Sequence, residues 1–190
     1  NKHYDIQEDG EEFWAVYTNQ GTPETKYGTL TFEPNDFPNT YDNIVLTITK
    51  TVNGDDYVFE HPSVASPTNQ GIQLKEGKGY IKNITSLGKI NSVSFSNFIY
   101  GSVNNLKVTV GKTADDINIE LTEDDLQEIN GVYTYYPKAN YSFVKIASIA
   151  GNAVSIKTIS IDFGMGTQIW ATTPDCSTIT LSGDNVYVTS

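Results

Sequence analysis

The chain has 190 residues, enough for one generous domain whose core needs no disulfide or metal to hold it. Its 23 Asp and Glu stand against 12 Lys and no Arg, for a net charge of −11. Such a surface repels phosphate, which argues against nucleic-acid binding and against adhesion to anionic lipid. No apolar run approaches the ~20 residues of a membrane-spanning helix, so direct membrane insertion by this chain is not expected.

Opening on Asn1, with Met165 its single methionine, the chain reads as either a processed product or a trimmed piece, with any targeting segment lost. Residues 1–27 are acidic and predict one strand around Phe13–Tyr17, then a loop through Gly21-Thr22-Pro23. From residue 28 a two-residue alternation of apolar and polar side chains takes over, the signature of strands with one buried face. Leu30 and Phe32 open it, and Ile44, Leu46 and Ile48 share the next face. Asn53-Gly54 supplies the positive φ of a tight hairpin before Tyr57 and Phe59. Ile72 with Leu74, then Val93 and Phe95 against Ser92, Ser94 and Ser96, continue the rhythm. Leu106, Val108 and Val110, then Ile117, Ile119 and Leu121, are its clearest runs.

Thr122–Ile129 departs from the rhythm. It begins with a good N-cap, places acids where a helix dipole favours them, and spaces Leu126 and Ile129 to face the body together. It reads as one helical turn or acidic loop, its carboxylates a solvated cap before a cation site. Alternation resumes with Tyr141 and Phe143, Val154 and Ile156, then Ile159, Ile161 and Phe163. Between Ile156 and Ile159 the apolar parity flips, which demands a bulge or break near Lys157-Thr158. Residues 165–190, after the joint Gly164-Met165-Gly166, read as a linker plus extra strands or the start of a truncated following domain.

Catalytic groupings are hard to assemble. The two histidines, His3 and His61, read as a frayed terminus and a surface loop, and Cys176 has neither a partner cysteine nor a neighbouring base. No nucleophile elbow, phosphate-cradling loop or zinc ligand set is present. Calcium takes loop carboxylates, so Asp36 with Asp42, Asp55 with Asp56, and Asp115 with Asp116 are candidates for a structural ion, although none has the spacing of a calcium loop. No catalytic residue, no assigned metal site and no cofactor are therefore expected. Twelve tyrosines and two tryptophans do lean towards a ligand, because a sugar's C–H face packs on such rings. The densest cluster holds Tyr133, Tyr135, Tyr136 and Tyr141; Tyr100 beside Gly101, Trp14 and Trp170 are alternatives.

An ordered series of segments carries a resemblance. Gly28-Thr29-Leu30-Thr31-Phe32 and Asp36-Phe37-Pro38-Asn39-Thr40-Tyr41 begin it, and Val52-Asn53-Gly54 leads into Tyr57-Val58-Phe59. Gly79-Tyr80-Ile81-Lys82-Asn83, Gly88-Lys89-Ile90-Asn91-Ser92-Val93, Leu106-Lys107-Val108-Thr109-Val110-Gly111 and Ile156-Lys157-Thr158-Ile159-Ser160-Ile161 follow. In this order, residues 28–164 resemble a jelly-roll, galactose-binding-like module of surface and secreted proteins of gut Bacteroidetes and some Firmicutes. The resemblance implies a β-sandwich appended to lipoproteins, adhesins or extracellular enzymes, with a glycan or cell-surface ligand as its partner or a spacer role instead. It brings no catalytic motif. Residues 1–27 and the acidic stretch 122–129 fall outside its pattern.

The expected architecture is an all-β antiparallel sandwich with at most one short helical turn near 122–129. The expected role is a non-catalytic carbohydrate-binding or adhesion module, extracellular or at a cell surface, any lipid anchor lying in a segment outside this chain. The alternatives are a structural spacer and a small glycosidase or lyase, which would need two carboxylates about 5–9 Å apart in a cleft.

Overall fold

Strands with one apolar face bury it only by stacking on another sheet, and two stacked sheets are what the chain forms. A computed structural model of the protein describes residues 4–9, 12–17, 27–66, 70–164, 178–182 and 185–189, with side chains for 27–66 and 70–164. Its contacts divide into a large unit, Lys26–Met165, and a small one that joins Asn1–Thr25 with Gly166–Ser190. In the small unit, β1 (Tyr4–Asp9) pairs with β2 (Glu12–Tyr17), which includes the strand expected around Phe13–Tyr17. His3, Gly21-Thr22-Pro23, the joint after Gly164, Trp170 and Cys176 lie outside the described residues, as does the side chain of Trp14.

The large unit is a sandwich of two antiparallel sheets, as the alternation requires. Its strands begin with β3 (Tyr27–Phe32), β4 (Thr47–Val52), β5 (Asp55–Glu60), β6 (Val64–Ala65), β7 (Ile72–Leu74), β8 (Tyr80–Asn83) and β9 (Ile90–Tyr100). They continue with β10 (Leu106–Gly111), β11 (Ile119–Glu120), β12 (Leu126–Ile129), β13 (Val132–Tyr135), β14 (Phe143–Ser148) and β15 (Val154–Gly164). One sheet runs β11-β10-β14-β8-β5-β4; the other runs β12-β13-β9-β15-β7-β6, with β3 also on β15. The remaining strands, β16 (Thr178–Ser182) and β17 (Asn185–Thr189), form a hairpin in the small unit.

The core lies between the sheets. Phe32 on β3 meets Phe59 on β5 edge-on at 4.9 Å, and Tyr57 on β5 meets Phe163 on β15 at 4.7 Å; all four are buried. The opposite face of the second sheet is a row of small hydroxyls. Ser94 shares a hydrogen bond with Thr134 at 3.0 Å, and Thr31 lies 3.5 Å from Ser160.

Several expectations need correction. Strand β4 starts at Thr47, leaving Ile44 in an exposed loop instead of on a shared face with Ile48. On β14 the buried apolar residues are Val144 and Ile146, so Phe143 is out of phase with the core, while Tyr141 lies before the strand and packs on the core from there; the apolar run fits either parity. Ile119 is exposed on a two-residue strand, and Leu121 alone of its run is buried. His61 is 2 % exposed rather than on the surface, because the 33–46 segment folds over the end of β5 and the carbonyl of Leu46 accepts its backbone N–H.

The segment Thr122–Ile129 holds one 3-10 turn, Glu123–Asp125, capped by Asp125, which accepts the N–H of Thr122 at 2.9 Å. The rest is strand β12, so Leu126 packs on the core while Ile129 points to solvent. Asn130 and Gly131, with φ of 53° and 78°, force the hairpin: two consecutive positive φ values make the turn that joins twisted strands, and that outweighs helical spacing. Two further 3-10 turns sit at Pro34–Asp36 and Val103–Asn105.

Candidate functional site

Strands β9 and β15 change phase together. Val93 and Phe95 on β9 point to the core, opposite Ile161 and Ile159. Then Asn97 adopts φ 58°, and Phe98 instead of Asn97 is the next residue on the inner side, opposite Ile156. The break inferred near Lys157-Thr158 has its counterpart in a register shift between Ser155 and Ile156, two residues earlier, and in the left-handed Asn97 across from it.

That change of phase brings Phe98 beside Tyr133 of β13, their rings perpendicular at 5.7 Å between centroids and 83°. Both are half-buried. Above them lies an open groove of about 410 Å³, bounded by the end of β9, the Asn130-Gly131 turn and Gly101-Ser102. The turn is held by Glu128, whose Oε1 accepts the N–H of Gly131 at 2.7 Å. The opposite lip is held by Asn105, whose Oδ1 accepts the N–H of Ser102 at 2.9 Å. None of the nine lining residues carries a formal charge.

The five tyrosines named from the sequence take different places. Tyr133 lines the groove. Tyr135, two residues on and on the same side, is 6 % exposed and packs edge-on against Phe95 at 6.3 Å. Burial, aided by the charges of Glu120, Glu123 and Asp125, pushes its phenol pKa up. Tyr136 is exposed but outside the lining, its N–H donated to the carbonyl of Asp125. Tyr141 is half-buried against the core. Tyr100 is exposed beside Gly101, a lining residue, and its phenol neighbours that of Tyr41. Burial and that neighbour raise the Tyr41 phenol well above its ordinary range.

The sequence reading missed Asn97, Phe98, Asn130 and Tyr41. The Asn130-Gly131 pair between apolar runs was an available hairpin signal. The parity change from Phe95 to Phe98 was the other.

Among the described residues no group of three or more His, Cys, Asp or Glu side chains is placed to hold a metal. Of the aspartates considered for calcium, Asp36 takes both its oxygens to Lys50 Nζ, at 2.8 and 2.9 Å, and Asp56 accepts from the Thr51 hydroxyl at 2.6 Å.

No protein-family model matches the chain. No curated protein matches it either. Among solved structures it is similar to a low-affinity xylan-binding module, CBM86, of the gut symbiont Roseburia intestinalis, at 13 % identity, covering 72 % of this chain and 96 % of that one, with a TM-score of 0.32. At that score the likeness assigns neither family nor ligand.

Proposed function

We propose that the sandwich is a non-catalytic carbohydrate-binding or adhesion module of a bacterial surface protein, of the jelly-roll type its sequence resembles. The observation that carries this reading is the groove above Phe98 and Tyr133. Perpendicular rings offer one face and one edge to the C–H side of a sugar, and the amides and hydroxyls at the rim match its hydroxyl groups. Tyr100 and Tyr41 extend the aromatic surface beyond Gly101. The lining contains no carboxylate, which supports binding over hydrolysis. The groove is open, so the affinity expected is modest.

The test is a glycan array followed by affinity electrophoresis in host and plant polysaccharides, with Tyr133→Ala beside the wild type. Retention that weakens in the variant, with an unchanged circular dichroism spectrum, supports the reading. No retention by any polysaccharide removes it, and release of reducing sugar would replace it with an enzyme.

A further inference from the structure

We infer that this groove selects uncharged oligosaccharides and that the side-chain amides of Asn97 and Asn130 read the sugar hydroxyls; the inference rests on the glycan-binding reading above.

Three observations converge. First, the lining offers no cation. A uronate or sulfate seated there would shed its water without a compensating partner, which is costly for a buried or half-buried charge. The carboxylate closest to the site by bonding, Glu128, is fixed on the Asn130-Gly131 turn, and the chain as a whole is strongly anionic. A neutral chain meets neither penalty.

Second, both asparagines stand in the left-handed region, at φ 58° and 53°, where a side chain costs energy and glycine does not. Asparagine is, after glycine, the residue that best tolerates this region, so the phase change in β9 and the tight hairpin account for the residue type, while the place of both amides on the groove is a separate matter.

Third, the amides have nothing to do inside the protein. Asn53, the other left-handed asparagine, donates from Nδ2 to the carbonyl of Tyr27 at 2.8 Å and so stabilises its own turn. Asn97 and Asn130 have no side-chain hydrogen bond among the described residues, are exposed, and both line the groove. An amide offers two donors and an acceptor, the complement of vicinal hydroxyls. Lining the same groove as the aromatic pair, the two amides give the site polar contacts beside its rings.

Glycine is therefore the discriminating substitution, since it keeps the backbone comfortable and removes only the amide. The full chain and its Asn97→Gly and Asn130→Gly variants are run in affinity gels and titrated calorimetrically with neutral polymers (a mixed-linkage β-glucan, a galactomannan, an arabinoxylan) and anionic ones (polygalacturonate, alginate, heparin). The wild type is expected to bind at least one neutral polymer and no anionic one. Each glycine variant is expected to melt within about 2 °C of wild type and to bind about tenfold more weakly. Binding confined to the anionic set overturns this inference while leaving the glycan reading intact. Neutral binding untouched by both glycine variants overturns it too, by placing the sugar elsewhere. Silence across all six polymers removes the glycan reading itself, and the inference with it.

Discussion

Buried His61 gives the sandwich a pH-dependent stability whose size can be worked out. Its ring packs edge-on against Phe37 at 5.2 Å, it is 2 % exposed, and its Nδ1 has no hydrogen-bond partner. Burial therefore holds its pKa below the ordinary value of 6.5. Well above pH 6.5 the imidazole is neutral in both folded and unfolded chains and contributes no pH dependence. As the pH falls through 6.5 the unfolded chain takes up a proton that the folded one refuses, so stability drops, until the folded pKa is reached and the loss levels off. Linkage sets a ceiling on the loss between pH 7.5 and 5.0 of about 2 kcal/mol, with a limiting slope of about 1.4 kcal/mol per pH unit. Carboxylates do not confuse this window, because they titrate mainly below it. The assay is urea unfolding of wild type and His61→Phe at pH 7.5, 6.5, 5.5 and 5.0. Phenylalanine keeps a ring against Phe37 and cannot titrate. The slope should vanish in the variant, and equal slopes in the two proteins would refute the reasoning.

Phe59→Ala empties a fully buried site between the sheets and should cost about 3–5 kcal/mol in the same unfolding experiment. Gly111→Ala should cost about 1–3 kcal/mol, because a Cβ there runs into the backbone carbonyl of Asp116, which cannot swing aside as a side chain can. Asp125 is held below the usual carboxylate range first by the Thr122 N–H and then by Lys138, so Asp125→Ala should lower stability by about 1–2 kcal/mol at pH 7. That difference should shrink as the pH falls through the depressed pKa. Ile119→Thr, on an exposed edge, should change the unfolding free energy by no more than about 0.5 kcal/mol.

The sandwich was legible because strands such as β9 carry an unambiguous code: serines on one face, Val93 and Phe95 on the other. Where the code thins, so did the reading. Around β14, Phe143, Val144 and Ile146 satisfy either parity, and only pairing with β10 and β8 decides which face is inner. For Thr122–Ile129 a good N-cap and acidic first turn argued locally for a helix, but four residues of helix bury too little to resist a hairpin turn that adds a strand to the sheet. The groove was half legible. Tyrosine density pointed to Tyr133, yet density cannot tell it from Tyr135, which shares its face but lies deeper. Phe98 joins Tyr133 only through the pairing of β9 with β13, and Asn97 is explained only by the companion strand β15, so neither is a property of its own neighbourhood in sequence.

The first and last strands of the sandwich, β3 and β15, lie side by side in opposite directions, with Tyr27 paired to Gly164. Tension applied at those two residues would therefore fall on one end of a single seam. Its hydrogen bonds would break in succession, like the teeth of a zipper, instead of sharing the load. Loaded that way, the seam resists with one end pair at a time.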